Sequence, residues 1–166
     1  MSDVEYLIAK NYALKLLSFR PRSEQEIRIK LKSYLEKKHL SSDLLEQIIS
    51  LLKGLNFIND IEFSQWWIDQ RKRSSIKGAK LVRYELISKG VSRDIIEGLA
   101  SNLSVEDEII KVRNLVEKYI KKIPRSIDKR VIKSKISRYL FQRGFSSELI
   151  NRAIDEYFKN DRMTIP

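Results

Sequence analysis

Three stretches of this chain share one pattern: LEKKHLSSDLLEQII at 35–49, LISKGVSRDIIEGLA at 86–100 and LFQRGFSSELINRAI at 140–154. Each reads as the apolar end of a helix, a basic residue, a helix-stopping residue, an apolar residue, a capping serine and a new apolar-faced helix. The copies are offset by 51 and then 54 residues. A repeat of about fifty residues predicts one small helical unit used three times.

The composition agrees with an all-helical protein. The 166 residues include only five Gly and three Pro, and Leu, Ile, Lys and Glu are abundant. We therefore predict an all-α fold of three tandem three-helix, helix-turn-helix-like repeats that form an elongated curved array. The predicted boundaries are 1–54, 55–103 and 104–160, with a flexible tail at 161–166. Units this small should share apolar surface with their neighbours.

Local signals predict how the helices begin, end and pack. Gly90 and Gly144 should end helices with positive φ, and His39 takes the equivalent place in the first repeat. The first helix should bury one face, and Phe63 and Trp67 should pack in a core, with one Trp partly exposed. That face of the first helix carries Leu7, Ile8, Tyr12, Leu16 and Phe19. The expected helix caps are Ser23 with Glu26, Asn59 with Glu62, and the serines Ser41, Ser92 and Ser146.

The residues offer little for catalysis or cofactor binding. The chain has no Cys and one His, and it lacks a Gly-rich phosphate loop. Glu36 and His39 have the Glu-x-x-His spacing of di-iron bundles, but such a site needs a second pair. We therefore expect no enzyme activity, no cofactor and no metal site. The first ten residues do not read as a signal peptide and no apolar run is long enough to span a bilayer, so we expect a cytoplasmic protein without membrane contact.

The formal net charge is +11, and the basic residues are unevenly distributed. Between residues 71 and 83 there are six and no acidic residue: Arg71, Lys72, Arg73, Lys77, Lys80 and Arg83. Between 118 and 138 there are nine with one Asp: Lys118, Lys121, Lys122, Arg125, Lys129, Arg130, Lys133, Lys135 and Arg138. Such runs indicate binding to a polyanion, nucleic acid first, although a solvated charged surface is the plainer interpretation.

Several motifs, taken in order, resemble the RecX family of bacterial regulatory proteins. Near the N-terminus stand Ala13-Leu14-x-x-Leu17 and Arg20-Pro21-Arg22-Ser23-Glu24-x-Glu26-Ile27. Then come Phe57-Ile58-Asn59-Asp60-x-x-Phe63-x-x-Trp66, Arg71, Lys77-Gly78, Glu85-Leu86-x-x-Lys89-Gly90-Val91 and Arg143-Gly144-Phe145. Together they cover nearly the whole chain. Asn59 stands where the family often has Asp, and His39 replaces a common Gly.

The resemblance implies a non-catalytic regulator of the RecA recombinase. Such a protein would bind the groove of the RecA–single-stranded DNA filament through a basic surface. It would limit strand exchange, ATP hydrolysis and filament extension. Arg71, Lys77, Glu85 and Lys89 match motif positions that could serve binding, whereas capping and ion pairs explain several of Arg20, Arg22, Ser23, Glu24 and Asp60. The predicted partner-binding set is Arg71, Lys72, Arg73, Lys77, Lys80, Arg83, Lys89, Lys121, Lys122, Arg125, Lys129, Arg130, Lys133 and Arg138.

Two other functions stay open at the level of sequence. The chain could bind DNA directly through its helix-turn-helix units. If it is instead a RecA regulator, duplex DNA would be a further ligand that binds more weakly than single-stranded DNA. The segment 92–101 argues against the reading of base edges, because only Arg93 and the nearby Asn102 are residue types suited to that role. Alternatively, the chain could be a helical adaptor for an acidic protein. In each case we expect a monomer.

Overall fold

The structure, a computed structural model, describes residues 3–74, 77–99, 105–124 and 127–163, and this part of the chain contains nine helices and no strand. This confirms the all-α class and the grouping of helices in threes. The helices are α1 (Asp3–Phe19), α2 (Glu24–Lys37), α3 (Leu44–Gly54), α4 (Asp60–Ser74), α5 (Ala79–Ser88), α6 (Arg93–Gly98), α7 (Val105–Ile120), α8 (Lys129–Phe141) and α9 (Ser147–Met163).

The chain divides into two compact units, and the second group of helices contributes to both. The first unit combines Met1–Asp69 with Glu85–Leu99. Its core is formed where α1, α2 and α3 pack together, because each brings an apolar stripe at helical spacing. The buried residues of this core are Ala9, Ala13, Ile27, Leu31, Leu35, Leu44, Ile48, Ile49, Leu52 and Ile58.

Helix α1 buries only part of the expected face: Tyr12 and Leu16 are partly buried and pack against the core of the first unit. Leu7, Ile8 and Phe19 are 51%, 42% and 72% exposed, so their predicted burial is wrong. The fully buried residues are Ala9 and Ala13, whose small side chains lie one turn apart and permit close helix contact. Large apolar residues are usually predicted to lie in a core, whereas the fully buried residues of α1 are two alanines.

The second unit combines Gln70–Tyr84 with Ala100–Pro166. Helices α7, α8 and α9 enclose its core, with the most extensive contact between α7 and α9. The α8 stripe follows the expected four-residue spacing at Ile132, Ile136 and Leu140. The other buried members are Val112, Leu115, Val116, Phe145, Ile150, Ala153 and Ile154.

Most of the predicted helix stops and caps are confirmed. Gly90 and Gly144 have φ of 82°, and His39 has φ of 54°. Ser23 and Glu26 form a complete capping box, and Ser92 accepts a hydrogen bond from the Ile95 amide. Ser146 accepts one from the Leu149 amide, and Asn59 accepts from the Glu62 amide.

Ser41 does not cap α3, contrary to prediction. Its hydroxyl accepts from the Asp43 amide, and its carbonyl accepts from the Leu44 amide. The chain makes a tight turn here before α3 begins at Leu44 without a side-chain cap. At the end of α3, Gly54 stays helical and Asn56 adopts the left-handed conformation, with φ of 56°.

Helix α4 belongs to the first unit as far as Asp69, and this part of the helix carries its aromatic residues. Phe63 is buried at 1% exposure, while Trp66 and Trp67 are each half-buried. The described residues contain no group of three or more acidic or histidine side chains placed to hold a metal ion. None of the helices in the described ranges combines the length and hydrophobicity needed to cross a bilayer.

Candidate nucleic-acid interface

An open groove lies along α8 in the second unit. Its volume is about 740 Å³. Along α8 it follows positions 131, 134, 138 and 142, which are three or four residues apart and therefore share one helix face, together with 135, four residues after 131. The opposite face is the buried stripe of α8, so core packing turns this polar face outward. The lining residues are Tyr119, Arg130, Val131, Ser134, Lys135, Arg138, Tyr139 and Gln142.

Two tyrosines form an aromatic wall of the groove. Tyr119, on the last turn of α7, and Tyr139, on α8, have ring centroids 4.9 Å apart and are tilted by 51°. The Arg143 guanidinium lies over the Tyr139 ring, with Cζ 3.7 Å from the centroid, and Nη1 donates to the Tyr139 carbonyl at 3.2 Å. These contacts fix the Tyr139 ring, and half-buried rings beside cations suit a stacked base.

The groove carries three cations that no described carboxylate neutralises. Arg130, Lys135 and Arg138 are exposed, and none of them forms an ion pair within the described ranges. Arg and Lys donors on one face can bind successive phosphates, and Arg can do so with two hydrogen bonds. Gln142 adds an amide that can donate or accept. The arrangement can therefore bind an anionic, aromatic polymer.

Other predicted residues near α8 are engaged with α9 or lie beside the groove. Lys133 pairs with Asp155 at 2.8 Å, and its Nζ lies 5.4 Å from the Phe158 ring centroid. Lys129 Nζ lies 5.9 Å from the same ring. Lys121 and Lys122 are exposed just after α7. Arg125 lies outside the described residues.

The predicted residues at 71–83 also belong to the second unit. The last turn of α4 contains Arg71, Lys72 and Arg73. Positive charges at the end of a helix are stabilised by the helix dipole. Lys77 is half-buried just before α5, and Lys80 and Arg83 are exposed on it. Lys80 Nζ lies 5.9 Å from the Phe141 ring. These residues are thus in the same compact unit as the groove but do not line it.

Glu108 brings a carboxylate close to the start of α5. It accepts a hydrogen bond from the Ala79 amide. Burial raises the pKa of the Glu108 carboxyl, while the bond from Ala79 and the charges of Lys111 and Arg83 oppose that rise. Arg83 is therefore partly balanced by an acid, unlike the cations of the groove.

Lys89 lies in the first unit and is held by internal contacts. Its Nζ donates to Glu26 at 3.0 Å and sits 4.2 Å from the Trp67 ring, and its side chain is 19% exposed. Trp67 in turn donates from Nε1 to Glu85 at 2.9 Å. These contacts give Lys89, Glu85 and Trp67 a structural role that joins α2, α4 and α5.

Sequence reasoning missed the aromatic half of the groove. Tyr119, Tyr139 and Gln142 are not among the residues predicted from the sequence to bind a partner. A usable signal exists, because Val131, Lys135, Arg138 and Gln142 recur at helical spacing opposite the Ile132–Leu140 stripe. The runs of basic residues alone do not show that Lys133, which pairs with Asp155 on α9, lies on a different face of α8 from the groove.

Comparison with protein families accounts for all three groups of helices. Three RecX domain models match in chain order: the first three-helix domain at 9–50, the second at 59–98 and the third at 106–154. A regulatory protein RecX of Clostridium perfringens is 32% identical over 166 residues, covering 98% of this chain and 74% of the relative. The chain belongs to the RecX family.

Other RecX proteins agree in sequence and in fold. The RecX of Listeria welshimeri is 32% identical over 143 residues, and that of Bacillus subtilis is 31% identical over 155 residues. They are matched over 86% and 93% of this chain, but the chain spans only 51% and 57% of their lengths. The crystal structure of RecX from Lactobacillus salivarius has a TM-score of 0.82 at 26% identity, covering 93% of this chain and 97% of that one.

Proposed function

We propose that this chain is a non-catalytic regulator of RecA recombinase that binds the RecA–single-stranded DNA filament in the cytoplasm. The observation that carries the proposal is the α8 groove, in which Arg130, Lys135 and Arg138 lie beside Tyr119 and Tyr139 and form no ion pair with any described carboxylate. The groove would bind phosphates of the single strand, with bases against the tyrosines. Membership of a family of regulatory proteins supports the recombinase as partner.

The regulator would limit strand exchange, ATP hydrolysis and filament extension by preferring one state of the filament. A ligand shifts an equilibrium only by its differential affinity for the two states. A protein that contacts both the DNA and the recombinase subunits would acquire that difference by fitting one arrangement of DNA and subunits better than another. The predicted boundaries at 1–54, 55–103 and 104–160 and the monomeric state belong to this proposal.

A second candidate, direct DNA binding, draws on the same face of α8. Arg130, Arg138 and Gln142 are residue types that read base edges in a major groove. This differs from the segment 92–101, where such residues are scarce. On this second function the chain would bind bare duplex as tightly as any filament.

The deciding experiment compares affinity for three ligands while salt is raised: bare single-stranded DNA, duplex DNA and RecA-coated single-stranded DNA. We expect the coated strand to bind most tightly and duplex DNA most weakly. Equal binding to bare duplex would favour direct DNA recognition. Indifference to all three would favour an adaptor for an acidic protein.

A matched pair of variants tests the groove itself. The groove variant R130E/K135E/R138E and the control K15E/K30E/K32E change the net charge equally, and the control residues are exposed on α1 and α2 of the first unit. We expect the groove variant to lose about tenfold or more in affinity and the control to change by less than about threefold. Equal losses would show that only net charge matters and would remove the groove from the proposal.

A further inference from the structure

The three helix stops of the repeats have the same backbone geometry. The residue after each stop donates its amide to a carbonyl five positions earlier: Leu40 to Leu35, Val91 to Leu86 and Phe145 to Leu140, at 3.0, 3.1 and 3.4 Å. The stop residue itself has positive φ in each case. These are Schellman-type ends, so three equivalent surfaces exist in the chain.

In the first unit, the stop at Gly90 receives the beginning of α2. The Ser23 hydroxyl donates to the Lys89 carbonyl at 2.6 Å, and Lys89 Nζ donates to Glu26 Oε1 at 3.0 Å. A Cβ atom on Gly90 would overlap the Cβ of Gln25. The contact therefore requires a stop residue without a side chain.

In the second unit, the stop at Gly144 receives the beginning of α5 in the same manner. The Gly78 amide donates to the Arg143 carbonyl at 2.8 Å. A Cβ atom on Gly144 would lie 2.5 Å from the Leu81 Cβ and 2.6 Å from the Leu81 amide nitrogen. Real Cβ atoms essentially never come this close, so this contact also requires glycine.

The stop of the first repeat carries a side chain where the other two have glycine. His39 has positive φ and is exposed, and no described residue donates to the Lys38 carbonyl. The backbone can thus offer the same acceptor as Lys89 and Arg143. The Cβ of His39 occupies the space that a docked helix start takes at the other two stops.

We propose that His39 blocks head-to-tail self-association of this chain. The partner excluded is a second copy, whose α8 would present its first turn to the stop at residues 38–40. By the repeat spacing, Asp128, Arg130 and Val131 stand where α2 has Ser23, Gln25 and Glu26. Val131 is 44% exposed and offers no carboxylate to Lys38. The side chain of residue 39 thus prevents the contact sterically. Residues 128 and 131 also lack the polar groups that stabilise the equivalent contact in the first unit.

The test introduces the missing polar groups at residues 128 and 131 in two variants that differ only in whether residue 39 has a Cβ atom. The variant H39G/D128S/V131E restores Ser, Glu and Gly at the positions that make the contact in the first unit. Its control H39A/D128S/V131E differs by one methyl group. We expect sedimentation velocity to show mass rising with concentration for the glycine variant and a constant mass for the alanine control and the unaltered chain.

The association should be open-ended, since a head-to-tail contact leaves a free surface at each end. Species larger than a dimer are therefore expected at the highest concentrations. Constant mass for both triple variants, or equal association of both, would overturn the proposal, because residue 39 would then not decide the contact.

Discussion

At the scale of single residues, the Glu26 carboxylate accepts hydrogen bonds from three other residues of the first unit. It accepts from Arg20 at 2.8 Å, from Lys89 at 3.0 Å and from the Ser23 amide at 3.4 Å. Burial alone would raise the pKa of the Glu26 carboxyl. The hydrogen bonds and charges of Arg20 and Lys89 outweigh that effect and lower the pKa to about 2. One carboxylate thus joins the start of α2 to the end of α5.

This lowered pKa predicts loss of stability in acid. Above the ordinary value of 4.5 the carboxyl is ionised in both states, and its contacts contribute fully. As the pH falls from about 4.5 toward 2, the unfolded chain takes up a proton that the folded chain resists, so the free energy of unfolding falls. Urea unfolding followed by Trp66 and Trp67 fluorescence should show this, with a flatter pH dependence for E26Q than for the unaltered chain.

A matched control is E36Q, which alters an exposed carboxyl on the same helix. Other ion-paired acids such as Glu24 also have lowered pKa values, so the difference between E26Q and the unaltered chain carries the prediction. If E36Q flattens the profile as much as E26Q does, the acid sensitivity does not arise from the Glu26 contacts.

At the scale of elements, the start of α2 is held by a residue from another helix. The Glu24 amide donates to Asp60 Oδ1 at 2.8 Å, while the Glu26 amide donates to the Ser23 hydroxyl at 3.1 Å. Amides of a first helical turn have no partner within their own helix. Asp60, the first residue of α4, therefore caps α2 across the first unit, and burial raises the pKa of its carboxyl.

Removing this acceptor should loosen α2 at its beginning. We expect D60A to lower the free energy of unfolding by about 1 kcal/mol, the usual effect of losing a helix cap. Hydrogen exchange should also accelerate at the Glu24 amide. D60N keeps an acceptor oxygen in place, so it should retain most of the stability. Equal losses in D60N and D60A would assign the effect to charge rather than to the hydrogen bond.

The sequence predicts local structure here better than contacts between elements. Ser23, Ser92 and Gly90 were predictable, because caps and stops depend on residues within one turn. The link from Asp60 to Glu24 was not predictable, since it joins positions 36 residues apart. The same reason hid Tyr119 and Tyr139, whose proximity depends on how α7 packs on α8. His39 was predicted as a stop, but its lack of a docked partner requires knowledge of the contacts at Gly90 and Gly144.

At the scale of the whole molecule, the charge of +11 would attract any polyanion. General attraction and phosphate contact differ in their response to salt. Each phosphate neutralised on a single strand adds about 0.7 to the slope of log affinity against log salt, because counterions are released. The slope therefore counts contacts, while affinity at one salt concentration also reflects the overall field.

If the α8 groove binds phosphates, R130Q/R138Q should reduce that slope by about 1.4 for single-stranded DNA, since two phosphate contacts are lost. The control K30Q/K32Q removes the same charge from an exposed part of α2 and should leave the slope unchanged. Fluorescence anisotropy across a salt series measures both. A smaller affinity with an unchanged slope in R130Q/R138Q would mean that Arg130 and Arg138 act through the molecular field alone, and the strand would then lie elsewhere on the protein.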